Sequence, residues 1–335
     1  MAFFWGVVCH LLRCGRKVYD SAMARDTLLL VGEALGKYGF PEGHPLSVDR
    51  QGVFLAAASA RGLDRQVEVV APRLATRAEI ERFHSADHVD WVEIRSRIGE
   101  GYLDYGDTPA FPGCYEIASA VAGTAVEGLE RIMAGKAVRS FQPIGGLHHA
   151  RRSRSAGFCV FNDLGVVIDS LRSRFGIARI GYVDIDVHHG DGIYYPYEAD
   201  PDLIVVDIHE DGNFLYPGTG HAYETGRNSA EGTKLNLPLK PGSGDREFFA
   251  AWERGLTHLR HLKPQFLILQ AGADGLAGDP LADLRLTPAV HTRVARDLRK
   301  LADEVCGGRL MAFGGGGYEL RNLATAWTAV LGELI

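Results

Sequence analysis

The sequence has no Cys-x-x-Cys pair, and its five cysteines, Cys9, Cys14, Cys114, Cys159 and Cys306, are an odd number. That argues against a thiolate zinc module or a disulfide framework and points to a reducing compartment, the cytoplasm. No apolar run reaches the roughly 18 residues of a membrane span. Excess positive charge is lacking too: the net charge of -6 gives no reason to expect a nucleic-acid surface. Internal repeats, low-complexity blocks and linker-like stretches are absent, which argues against a solenoid and against two tethered domains. What remains is ordinary globular material, 46% hydrophobic and 23% charged, long enough at 335 residues for one large α/β domain.

The N-terminus is apolar from Met1 to Leu12, with Arg13, Arg16 and Lys17 after it. An export signal carries its positive charge before the apolar stretch, so the order argues against export even though Ala22-Met23-Ala24 resembles a cleavage site. Residues 1–26 are expected to be an extension that adds little to the fold. The first convincing strand, Thr27–Val31, starts just after Met23, and the domain is expected over 27–335. Arg151-Arg152-Ser153-Arg154 is a short basic cluster, expected to be a solvated loop, with contact to an acidic partner as the alternative.

Apolar runs at Val67–Val70, Val138–Phe141, Ala178–Val183, Leu203–Ile208 and Phe266–Leu269 read as strands, as do Thr233–Leu239 and Leu310–Phe313. Helices are expected from about 47 to 61, 87 to 98, 161 to 175 and 245 to 261, and a final helix after the Gly314–Tyr318 loop carries the chain to its end. Pro112 is expected to open a long helix to Met133, and Thr287 to cap one running to Glu304. Thr76 with Glu79 has the spacing of a capping box. Strands alternating with helices imply right-handed crossovers and a mostly parallel sheet.

The stretch Asp184-Ile-Asp-Val-His-His-Gly-Asp191 organises the rest. It ends an apolar strand, where parallel sheets place their ligands. It holds five ionisable groups in eight residues, and these cannot all be buried without partners or a metal. Asp186 and His188 stand two apart, so on an extended strand end they point the same way and a metal can hold both. His148-His149, Asp274 and Tyr318, the last behind four glycines, follow other strands. One parallel layer brings all of them to the same edge.

Six motifs occur in order: Gly145-Gly-Leu-His-His-Ala150, Gly157-Phe-Cys-Val-Phe-Asn162, Asp184-Ile-Asp-Val-His-His-Gly-Asp-Gly192, Tyr216-Pro-Gly-Thr-Gly220, Ala271-Gly-Ala-Asp274 with Gly278-Asp-Pro280, and Gly314-Gly-Gly-Gly-Tyr318. Over residues 27–332 the chain resembles the zinc-dependent histone deacetylase superfamily, including bacterial acetoin-utilisation-type deacetylases. The resemblance implies a single-domain, three-layer α/β arginase/deacetylase fold. It also implies a metal-dependent deacetylase that hydrolyses N-acetyl amides, foremost acetyl-lysine in proteins or peptides, to acetate and a free amine.

It makes Asp186, His188 and Asp274 the metal ligands. Three protein ligands with an open position suit catalytic zinc, and the oxygen-rich donor set also admits iron(II). His148 and His149 match the family's tandem histidines, with Asp184 and Asp191 as their respective carboxylate partners. Tyr318 matches its oxyanion donor. Phe158 and Tyr216 match the aromatic walls of its acyl-lysine tunnel, although many members have Phe where Tyr216 stands. Asp107 matches the rim aspartate that holds the substrate backbone, and Gly157 the carbonyl that accepts from the substrate amide. Arg50 matches an arginine on the acetate exit path. Leu281 stands where members that prefer acetylated polyamines carry Glu, which argues against that specialisation. A structural potassium site is implied at Asp184, Asp186, His188 and Ile208, with Asp207 where the family usually supplies Ser. Other readings of the same residues are an amidohydrolase of small acetylated amines or metabolites, an inactive binding module, and an arginase-like two-metal hydrolase. The last would need further Asp ligands that the 184–191 stretch gives to the histidines.

Overall fold

Eight short strands carry much of the buried aliphatic content: β1 (Thr27–Leu30), β2 (Glu68–Val70), β3 (Arg139–Gln142), β4 (Ile180–Asp184), β5 (Leu203–Asp207), β6 (Lys234–Asn236), β7 (Phe266–Gln270) and β8 (Leu310–Phe313). The computed structural model describes residues 26–41 and 43–335. The expectations for Met1–Leu12, Ala22-Met23-Ala24 and the extension up to residue 25 fall outside these.

The strands pair in the order β2-β1-β3-β8-β7-β4-β5-β6, every neighbour parallel. The central strands are buried on both faces, which is why they read as continuous apolar runs. Successive side chains go to opposite sides. Leu267 and Leu269 of β7 enter one core cluster, Phe266 and Ile268 the other. Phe54, Trp252, Leu298 and Trp327 come from helices Arg50–Ala60, Asp245–Leu262, Ala289–Val305 and Leu320–Leu334, and cover the first face. Leu129 and Leu171, from helices Cys114–Met133 and Asp163–Phe175, cover the second. The result is the expected three-layer α/β domain.

After β3 the chain crosses to β4, and β8 and β7 later fill the gap between them. In such sheets the ligand crevice opens outside the carboxyl ends, at the place where strand order reverses. The loops after β3, β4, β7 and β8 meet there.

One expectation about a helix start needs correction. Pro112 does not open the long helix. It begins at Cys114 behind Gly113, whose φ of 87° interrupts helical geometry. Thr287, before Pro288, does cap Ala289–Val305: its hydroxyl oxygen accepts from the Ala289 N–H at 3.3 Å while its proton goes to Asp245 at 2.6 Å.

The Thr76–Glu79 capping box is formed. Glu79 accepts from the Thr76 N–H at 2.8 Å and from Arg73 at 2.9 Å through each carboxylate oxygen. Burial would raise its pKa, but Arg73 and Thr76 outweigh burial and hold it at about 2. A carboxyl held below its unfolded value stabilises the fold above that value and loses the contribution as pH falls through the folded pKa. Glu79→Gln is therefore expected to cost about 1 kcal/mol at neutral pH, with the gap to wild type narrowing below about pH 4. Urea titrations at both pH values check this, and an unchanged gap would refute it.

Candidate active site

Asp186, His188 and Asp274 are buried, and each offers a ligand atom within 4.8 Å of the others'. Their positions are fixed by backbone and amide donors. Asp186 Oδ2 accepts from Gln270 Nε2 at 2.7 Å and from the Gly316 N–H at 2.8 Å. Asp274 Oδ1 accepts from the Val187 N–H at 3.0 Å, while its Oδ2 is buried with no hydrogen-bond partner. His188 Nδ1 lies 3.1 Å from Asp186 Oδ1 and 3.2 Å from Asp274 Oδ2. Two buried carboxylates converging on one imidazole need a positive charge between them. For the chain alone that charge is a proton. Burial would lower the His188 pKa, yet Asp186 and Asp274 raise it to about 10. Burial and the Asp186 charge push Asp274 up to about 7. The group thus attracts a cation, and its donor set fits a divalent metal.

Beside it stand two histidine–carboxylate pairs. His148 Nδ1 donates to Asp184 Oδ2 at 2.8 Å, and the Tyr182 hydroxyl donates to the same oxygen. His149 Nδ1 donates to Asp191 Oδ1 at 2.8 Å, and the two Nε2 atoms are 3.1 Å apart. The histidine loop is pinned from below. Asp163 accepts the Gly146 and Leu147 N–H groups at 2.9 and 2.8 Å, and Asn162 Nδ2 donates to the Ala150 carbonyl at 2.8 Å. The pair is electrostatically split. Burial opposes charge on His148, but Asp184 and Asp186 raise it to about 10. Burial and then the His148 charge lower His149 to about 4 against the pull of Asp191. Near neutral pH one charge resides on the pair, on His148, and His149 is free to accept a proton.

The glycine run lets the last site loop approach closely. A Cβ at Gly316 would lie 2.0 Å from Asp274 Oδ2, and one at Gly157 would lie 2.4 Å from His149 Cδ2. Tyr318 is held through its N–H, which donates to Asp279 Oδ2 at 2.8 Å. Arg50 donates Nε to the Gly317 carbonyl at 3.1 Å and a terminal N–H to that of Gly315. Burial, then Asp274 and Asp186, push the Tyr318 pKa well above its ordinary value, so the phenol stays a donor. A narrow tunnel leads in between Leu46, Gly157, Phe158, Tyr318 and the two histidines. Phe158 takes a φ of 67°, rare for a bulky residue. It is held there by the Tyr38 hydroxyl donating to its carbonyl at 2.8 Å and by its own N–H donating to Thr108 Oγ1 at 3.1 Å. Tyr216 stands at the mouth, its ring 5.1 Å from that of His149. It borders a chamber with Asp107 and is not among the tunnel-lining residues. Leu281 is likewise not among them. Its N–H donates to Asp279 Oδ1 at 3.1 Å, so the carboxylate that holds Tyr318 also holds Leu281.

At the implied potassium position, Asp184 Oδ1 accepts the Asp186 N–H at 3.1 Å, and the carbonyls of Asp186, His188 and Ile208 accept no hydrogen bond from the described residues. Such free carbonyls suit a monovalent cation. Asp207 departs from that role: its oxygens meet His209 Nδ1 at 2.5 Å and the Gly190 N–H at 2.9 Å.

The histone deacetylase domain family matches residues 44–334. The chain belongs to the histone deacetylase family. Within it, the chain is 32% identical over 319 residues to the acetoin utilization protein AcuC of Bacillus subtilis, covering 92% of this chain and 82% of that one. It is 30% identical to the histone deacetylase RPD3 of Saccharomyces cerevisiae over 310 residues, 90% of this chain and 70% of the other. The crystal structure of the HDA15 HD domain superposes with a TM-score of 0.85 at 30% identity, covering 93% of this chain and 88% of that one. Family membership supports a deacetylase of the hydrolase class with a metal cofactor. Among the described residues no helix is long and apolar enough to cross a membrane.

Four contacts escaped the sequence reading. Gln270 orients Asp186, Tyr182 supports Asp184, Asp279 anchors the Tyr318 loop, and Arg151 binds Asp191 Oδ2 through Nε at 3.1 Å and a terminal N–H at 2.6 Å. The basic cluster is therefore not simply solvated. Arg151 serves Asp191 and Arg152 pairs with Asp169 at 2.9 Å, leaving Ser153 and Arg154 exposed. The one available signal was a polar residue closing an apolar strand, as Gln270 does.

Gly316→Ala would push its methyl between the two acidic groups. We expect metal affinity to fall about 10–100-fold with far-UV circular dichroism unchanged. Full metal stoichiometry in the purified variant at limiting free metal would contradict this.

Proposed function

We propose that the chain is a single-metal deacetylase whose preferred substrate is acetyl-lysine in a protein or peptide, acting in the cytoplasm. The reading is carried by one observation: the Asp186–His188–Asp274 group adjoins a neutral histidine, a donating phenol and a narrow tunnel. The buried, unpaired Cys114, Cys159 and Cys306 agree with a reducing compartment.

Asp186, His188 and Asp274 would hold a zinc or iron(II) ion, which when bound supplies a Lewis acid that lowers the pKa of water towards about 7 and polarises the acetyl carbonyl. Phe158, and Tyr216 at the mouth, flank the methylene stem of the lysine. The Gly157 carbonyl accepts from the acetamide N–H, and Asp107 from the substrate backbone. His149 takes a proton from the attacking water and returns it to the departing amine. Asp191 keeps the His149 ring oriented, with its Nε2 lone pair facing inward. His148, charged and tied to Asp184, faces the same water. As the acetyl carbon becomes tetrahedral, the Tyr318 hydroxyl donates to its developing oxyanion. The C–N bond breaks, leaving acetate and a protonated lysine. Asp184 and the free carbonyls of Asp186, His188 and Ile208 would hold potassium.

His149→Ala is expected to lower turnover of an acetyl-lysine peptide by about 10²–10⁴ with metal content retained. Tyr318→Phe should lower kcat by about 10²–10³. Steady-state kinetics with metal analysis decides both, and substantial activity in His149→Ala removes that residue from the mechanism. Leu281→Glu should improve kcat/KM on acetylated polyamines about two- to fivefold relative to acetyl-lysine peptides, by attracting a distant cation. If wild type already prefers acetylated amines to acetyl-lysine, the substrate assignment passes to small metabolites.

A further inference from the structure

A chamber of about 410 Å³ opens beside the tunnel mouth, between residues 104–107 and 151–156, and shares Asp107, Tyr216 and Asp191 with the site. Its lining carries both charges: Asp104 and Asp107 come from one segment, Arg151 and Arg154 from another. Most of these groups are already engaged. Asp104 Oδ1 accepts from the Gly106, Asp107 and Thr108 N–H groups at 3.0, 3.1 and 3.0 Å. Asp107 Oδ1 accepts from the Thr108 hydroxyl at 3.1 Å, and Arg151 is committed to Asp191.

Arg154 is different. Its main chain is fixed, with N–H to carbonyl bonds to and from Arg151 at 3.4 and 2.9 Å. Its guanidinium lies 5.9 Å above the ring of Tyr105, which is 96% exposed, and donates to no acceptor among the described residues. An unpaired cation therefore lines the same chamber as Asp107 and Tyr216, the residues assigned above to the substrate rim. When a lysine side chain fills the tunnel, its α-carbon stops at that mouth. Two groups leave the α-carbon. The amide N–H matches the acidic wall at Asp107, and the carboxyl side is left for the basic wall.

We propose that Arg154 makes this chamber an anion subsite for a carboxylate carried close to the α-carbon of the acetyl-lysine. The carboxylate is either the α-carboxylate of free or chain-terminal Nε-acetyl-lysine or the side chain of a following Asp or Glu. The subsite rests on the acetyl-lysine reading above and narrows it to substrates with a negative charge next to the modified residue. Planar guanidinium–carboxylate pairing suits the task, and its exposure keeps the gain modest.

The test compares kcat/KM within two substrate pairs, in wild type and Arg154→Gln. One pair is Nε-acetyl-lysine against its α-carboxamide. The other is a short peptide with Glu against Gln directly after the acetyl-lysine. Wild type should prefer the charged member of at least one pair about fivefold at low ionic strength, chiefly through KM. The preference should vanish in Arg154→Gln and fade in wild type near 1 M salt, where charges are screened within about 3 Å. The pair that shows it identifies the source of the carboxylate. Parity within both pairs in wild type, or a preference that survives in Arg154→Gln, overturns the subsite while leaving deacetylation standing. No turnover of any of the four compounds defeats the acetyl-lysine reading and the subsite together.

Discussion

Two carboxylates and an imidazole, buried together at the carboxyl edge of a parallel sheet, are the constraint around which the domain is arranged. Left alone, such a group costs several kcal/mol per unpaired charge. The structure meets that cost with dipoles supplied from three different chain segments. The Gln270 amide and the Gly316 and Val187 N–H groups all point at carboxylate oxygens. None of these donors neutralises the charge; each only orients it. The balance still favours binding a cation, and in the proposed enzyme the metal is that cation. The sheet's function is to hold β4, β7 and β8 in register, so that donors distant in sequence arrive within hydrogen-bonding reach.

The same electrostatics divides the two histidines. They are adjacent in sequence and nearly identical in burial, yet their surroundings differ. His148 faces Asp184 and lies 3.8 Å from Asp186. His149 faces Asp191, whose other oxygen is taken by Arg151. A carboxylate shared with a guanidinium pulls less on its imidazole than one without such a partner. The chain thus obtains one charged and one neutral ring from a repeated residue by choosing what stands behind each.

Much of this was legible in the sequence. The apolar runs gave the strands because both faces of a parallel sheet are buried, and the Asp184–Asp191 stretch announced itself by crowding charges at a strand end. The spacing of Asp186 and His188 on a strand end suggested a shared metal, and the resemblance to the deacetylase family added Asp274 as the third ligand. What stayed hidden has a common physical cause. Asp279 reaches Tyr318 across 39 residues, Arg151 reaches Asp191 across 40, and Gln270 reaches Asp186 across 84. No local pattern encodes such a pairing. Arg151 was misread because a run of arginines looks alike before the fold gives each one a separate partner. The helix start at Cys114 was displaced for a local reason. A left-handed glycine overrode the usual start signal of Pro112.

Asp279 ties two functions into one fitting. One carboxylate oxygen receives the N–H of Tyr318, the other that of Leu281. A change of backbone at Leu281 is therefore mechanically linked to the position of Tyr318. A chain that remodels the turn at 279–281 would shift Tyr318 with it, and compensating changes should gather in the segment after β8. Epistasis between these two short stretches is built into a single side chain.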